Sequence, residues 1–208
     1  MGELRRLILA QAILLGGQCL LYFGVETLEG PPHNVERGID RHIPFVPAWV
    51  YIYVLWFPLI ALFPLALYFA SPLHYGRYMT AMAADIVLSL ICYLAYPTTF
   101  RRPAPPESAT GLVMRLVYRG SYKGLNCAPS MHCSMCYIVL AMALVSPGLM
   151  LSVRGIAVIL SALIVISTLY TKQHVLIDAL SALPLAALCW GLGRLFPFAV
   201  LGEWIARS

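Results

Sequence analysis

Residues 153–171 read VRGIAVILSALIVISTLYT, and after Lys172-Gln173 residues 174–197 read HVLIDALSALPLAALCWGLGRLFP. From Gly155 to Thr171 no side chain carries a charge. Both runs approach the roughly 20 residues with which an α-helix crosses a bilayer core about 30 Å thick. Two such runs, parted by a short polar step, predict consecutive membrane helices. A histidine at the head of the second run, Asp178 four residues later and Arg194 near its end are the titratable exceptions to its apolar character.

The rest of the chain matches these runs. Of 208 residues, 61% are hydrophobic and 11% charged, against roughly 45–50% and 25% in soluble domains. Mean hydropathy is +0.80. A soluble globule cannot hide so much apolar surface, which excludes the water-soluble, disordered and fibrous classes. Unbroken hydropathy places spans at about 4–25, 47–70, 78–96, 130–146, 153–171 and 174–197. The fold class expected is therefore all-α: a polytopic membrane protein, six transmembrane helices in one bundle, a single domain over 1–208.

The first run could be a signal peptide, but its apolar stretch is too long and no small-x-small cleavage site follows, so it reads as a transmembrane helix. Arg5 and Arg6 argue for a cytoplasmic N-terminus, although the plain count of basic residues per side does not favour that orientation. Pro58 and Pro64 are tolerable in a membrane helix whose neighbours satisfy the freed carbonyls. Ser71-Pro72 and Ser146-Pro147-Gly148 make tight turns. The six cysteines are scattered and read as small core residues, with no disulfide framework. The net charge of +5 points to phosphate headgroups or a phosphate substrate, because the basic residues sit at segment ends and in one loop.

That loop, about 97–129, is the longest polar stretch. It holds Arg101, Arg102, Arg115, Arg119 and Lys123, five of the fourteen basic residues, which favours an anion site. Arg102 follows the third span and His132 begins the fourth. Two crossings then return the chain to Lys172 and His174 on the side of His132. Asp178 lies on the face of His174, one turn deeper. An intramembrane carboxylate is costly and by default functional. Beside an imidazole it fixes the tautomer, leaving the other nitrogen as base, nucleophile or metal ligand. Pro129-Ser130-Met131-His132 reads as a helix start, whose unpaired amides form an anion site. With Arg102 and Lys172 near, the cluster suits a phosphoryl group.

Other chemistries use the same residues. His132 with Cys133 and Cys136, and Cys127 near, has partial zinc-site character, though core packing is the better reading. His132 and His174 could be axial haem ligands. Asp85, isolated in the third span, is what a transporter would use; its simpler reading is a helix–helix hydrogen bond. Six spans without a repeat argue against alternating access.

Arg102-Pro103, Pro129-Ser130-Met131-His132 and Ser167-x6-His174-x3-Asp178 together resemble the type 2 phosphatidic acid phosphatase superfamily, whose signatures are Lys-x6-Arg-Pro, Pro-Ser-Gly-His and Ser-Arg-x5-His-x3-Asp. The resemblance covers nearly the whole chain. Ala95 stands where the first signature has Lys, Met131 where the second has Gly, and Thr168 where the third has Arg. Tyr96-Pro97-Thr98, Pro-Ser-Met-His and Lys-Gln-His174 are similar to the inositol-phosphoceramide synthase branch. The resemblance implies that His174 is the nucleophile, oriented by Asp178, and forms a phosphohistidine. His132 would be the general acid and then the base. Arg102, Lys172, the amides at Ser130 and Met131, Lys123 and Arg101 would hold the phosphate. It implies no metal and no cofactor, and a lipid phosphate in the bilayer as the partner. The expected activity is a lipid phosphatase on phosphatidate, isoprenyl phosphate or diphosphate. The alternative is a phosphotransferase moving a headgroup such as inositol phosphate to a lipid alcohol. Small size and short loops leave little surface for a second headgroup, which tips the expectation to hydrolysis.

Overall fold

The computed structural model describes residues 2–28, 30–120 and 124–195. Its helices are α1 (Gly2–Glu26), α2 (Val50–Tyr53), α3 (Trp56–Ala70), α4 (Pro72–Ala95), α5 (Ala109–Gly120), α6 (Met131–Val145), α7 (Leu151–Tyr170) and α8 (Leu176–Leu195). Five stretches are long and apolar enough to cross a membrane: Gly2–Glu26, Pro47–Ala70, Pro72–Ala95, Leu151–Tyr170 and Leu176–Leu195. Large apolar side chains such as Leu20, Phe69 and Leu151 stay exposed on their flanks, 78%, 67% and 82% respectively. The fourth expected span is the shorter apolar helix α6, 15 residues long, where a bilayer core needs about 20. Ser130 accounts for the late start: its hydroxyl accepts from the Cys133 amide, capping the helix there.

The second run is not one helix. It opens with a 3₁₀ turn, Pro47–Trp49, continues as α2, and breaks at Val54-Leu55 before α3. Pro58 supplies the cause, since it has no N–H to give the Val54 carbonyl. The Phe57 amide takes that carbonyl instead, at 3.2 Å. The sixth run also starts later than expected, because His174 precedes α8 rather than belonging to it.

α4 packs chiefly on α8, and α6 on both α7 and α8. Tyr75, Tyr78, Met82, Met135, Ile138 and Ile164 fill the core between them. At Gly193 a Cβ would come within 2.4 Å of the Arg77 carbonyl oxygen, so the α4–α8 crossing needs glycine. Asp85 is buried in α4 and accepts from the Ser134 hydroxyl of α6 at 2.8 Å, a hydrogen bond between helices.

The 97–129 segment is more structured than a loop. It carries α5, whose valines and leucines alternate with Arg115 and Arg119. β1 (His33–Asn34) pairs in parallel with β2 (Thr98–Thr99). Thr99 bridges to Leu125, and the Thr98 hydroxyl accepts from the amides of Cys127 and Ala128 at 3.0 and 2.8 Å. Three distant loops are thereby locked together over one end of the helices. Asp40 adds a fourth tie: its Oδ1 accepts from the Leu176 amide at 2.8 Å and so caps α8 from 136 residues away.

Candidate active site

His174 sits in the turn between α7 and α8. α7 ends with Lys172 in the left-handed region (φ 51°), and the amides of Gln173 and His174 both reach back to the Thr168 carbonyl. This is the usual way to close a helix, although glycine normally takes the left-handed position. The turn aims the His174 ring inward, where it is buried. Its Nδ1 lies 3.1 Å from the Cys127 carbonyl and 3.2 Å from Asp178 Oδ2. A carbonyl can only accept, so Nδ1 carries a proton and donates. In the neutral ring Nε2 is then left with its lone pair. Asp178 is itself held in place: the same Oδ2 accepts from the Val175 amide at 3.0 Å.

His132 is the second residue of α6. Its ring centroid is 6.0 Å from that of His174. The two rings therefore share one site, on the lining of a single cavity. Tyr53 and Trp56, on either side of the break before α3, hold the His132 ring, Tyr53 stacked on it at 4.9 Å and Trp56 tilted against it at 4.4 Å between centroids. The Tyr53 hydroxyl is also 2.9 Å from His132 Nε2. Neither aromatic residue stands out in the sequence, because each lies in a run of apolar neighbours.

The two histidines open on a cavity of about 500 Å³, walled largely by apolar side chains of α1, α3 and α5 such as Leu15, Phe57 and Leu116. Arg102 lines it, its guanidinium 5.8 Å from the Phe100 ring and 5.6 Å from Tyr118. Burial pushes the Tyr118 phenol up, with Arg102 pulling the other way. Met131 lines the cavity too, and its sulfur accepts from Gln18 Nε2 at 3.2 Å.

Arg101 and Lys172 line a different cavity, of about 400 Å³, together with Glu36, Asp40 and Arg41. Arg102 is shared between the two. The Lys172 ammonium donates to the Asp40 carbonyl at 2.7 Å. Burial lowers its pKa while Asp40 and Glu36 work against that. Grouping Arg101 and Lys172 with the histidines therefore needs correcting: the left-handed turn sends Lys172 away from His174, toward Asp40. This second cavity adjoins the first at Arg102.

Ser130 is also corrected as an amide donor to phosphate. Its N–H donates to the Asp178 backbone carbonyl at 3.1 Å, and its hydroxyl caps α6. The first intrahelical bond of α6 runs from Ser134 to Ser130, so the amides of Met131 and His132 lie ahead of it. Lys123 lies outside the described residues. Cys133 and Cys136 are buried, the former 3.6 Å from the Thr168 hydroxyl. Among the described residues no three His, Cys, Asp or Glu side chains group as metal ligands. Ala95 ends α4 and offers no cation where the resemblance would have Lys.

No family model, curated protein or solved structure matches the chain.

Proposed function

We propose that the chain is a multi-pass integral membrane protein, with α6 as a sixth, short span, and that it is a lipid phosphoesterase acting through a phosphohistidine. The observation that carries this reading is the His174 ring. Nδ1 is engaged by a carbonyl and a carboxylate, while a second imidazole stands 6.0 Å away across a cavity that Arg102 lines. Nε2 of His174 attacks phosphorus as the bond from phosphorus to the lipid oxygen breaks. The leaving alkoxide takes a proton from His132. Water then attacks the phosphohistidine, gives its proton to His132, and releases phosphate from Nε2. Proton transfer of this kind contributes about 10²–10⁴-fold. Arg102 and the leading amides of α6 stabilise charge on the phosphoryl oxygens. The apolar cavity suits the hydrocarbon part of a phosphorylated lipid.

The neighbouring cavity of about 400 Å³ favours a second reading. An alcohol held there could replace water as acceptor, making the protein a lipid phosphotransferase. Water exclusion decides between the two outcomes. The test is the purified protein in detergent micelles with a panel of phospholipids, isoprenyl phosphates and diphosphates, measuring free phosphate and new lipid products together. His174→Ala should abolish turnover and His132→Ala nearly so, with both proteins folded. Full activity in His174→Ala removes the assignment.

A further inference from the structure

Two carboxamides on the cavity wall that holds the paired histidines have side-chain groups without a hydrogen-bond partner among the described residues. Asn126 is 3% exposed, and neither its Oδ1 nor its Nδ2 has a hydrogen-bond partner among the described residues. Gln173 is 2% exposed, and its Nε2 likewise has none. Both line the cavity that holds His132, His174 and Arg102. Buried amide groups are nearly always hydrogen-bonded, and each exception needs an explanation. Gln18 Oε1 and Trp56 Nε1 on the same wall also lack partners, but Asn126 and Gln173 adjoin, in the chain, the groups that orient His174, and they point to a ligand that supplies missing partners.

Their positions in the chain say where that ligand sits. Asn126 immediately precedes Cys127, whose carbonyl engages His174 Nδ1. Gln173 immediately precedes His174 itself. Both backbones are fixed: Asn126 adopts φ 62°, which asparagine tolerates better than most residues. The Gln173 amide is tied to the Thr168 carbonyl at 3.0 Å. The two carboxamides thus come from the two segments that orient the ring proposed to attack phosphorus, and both line the cavity that this ring lines.

We propose that Asn126 and Gln173 are phosphoryl-binding residues, whose side-chain N–H groups donate to the non-bridging oxygens of the phosphorus that His174 attacks. The inference rests on the phosphoesterase reading above. Carboxamides supply donors without a further charge, and burying a charge is far costlier than burying an amide. Position 95, where the family resemblance would put a cation, is alanine. Neutral donors from 126 and 173 take over part of that task, preorganised before the charge develops.

Asn126→Gly keeps the left-handed backbone and deletes the side chain, while Gln173→Met keeps the length and deletes the donor. Both are compared with the wild-type full chain in micelles. The readouts are kcat/KM on a long-chain lipid phosphate, orthovanadate affinity by titration calorimetry, and the thermal midpoint. Each variant should lose about 10- to 100-fold in kcat/KM and in vanadate affinity. The midpoint of Gln173→Met should hold or rise, since no native hydrogen bond of the deleted donor is removed. Wild-type kinetics and vanadate affinity in both variants would overturn the proposal while leaving the phosphoesterase reading intact. So would a lowered midpoint in Gln173→Met, which would reveal a structural contact. A wild-type protein that neither binds vanadate nor releases phosphate from any lipid overturns both readings.

Discussion

Replacing Asp178 by Asn measures what the carboxylate does for His174. In a Ser-His-Asp triad the same change costs about 10⁴-fold, because the amide can turn its N–H₂ to the imidazole and stabilise the wrong tautomer. Two contacts oppose that here. The oxygen facing Nδ1 also accepts from the Val175 amide at 3.0 Å, so an Asn keeps oxygen, not nitrogen, at that position. The Cys127 carbonyl, 3.1 Å from Nδ1, independently demands the same proton. Asn should therefore preserve the tautomer and lose only the charge on the hydrogen bond. A charge-assisted bond contributes about 1.5–3 kcal/mol and a neutral one about 0.5–1.5, so the loss is about 1–2 kcal/mol. At 1.36 kcal/mol per decade this is about 5- to 30-fold in kcat/KM. The assay is phosphate release from a long-chain lipid phosphate at fixed micelle composition. A loss of 10³-fold or more would refute the reasoning, because the Cys127 carbonyl would then not be holding the ring. An unchanged rate would reduce the pair to a structural contact.

Tyr53→Phe removes the hydrogen bond to His132 at 2.9 Å but keeps the stacked ring. Turnover should fall about two- to tenfold with thermal stability unchanged; equal kcat values would mean that Tyr53 only packs. Asp40→Ala removes acceptors from the Leu176 and Arg37 amides, both at 2.8 Å. Stability should fall by about 1–2 kcal/mol, read as a lower denaturation midpoint in a fixed detergent. Activity should fall with it, because the capped turn carries His174 and Asp178.

Helix content and apolar length were legible because hydropathy is a local property, summed over a run and indifferent to what lies beside it. The pairing of His174 with Asp178, and the return of the chain through α6 and α7 from His132 to His174, were legible because both follow from short separations and chain order, although His174 lies in the turn before α8 and not in the helix. Boundaries shifted where a single backbone group decided them. Pro58 split the second run, and Ser130 set the start of α6.

What tertiary structure alone decided are the partners that loop closure brings together. Tyr53 meets His132 across 79 residues and the Cys127 carbonyl meets His174 across 47. No local pattern marks either contact. The same closure moved Lys172 to Asp40 and left Asn126 and Gln173 turned into the cavity. A run of residues specifies its own helix because its hydrogen bonds are internal. A site assembled from loops borrows its hydrogen bonds from elsewhere in the chain, so only the closed fold determines which groups are satisfied and which are left for a substrate.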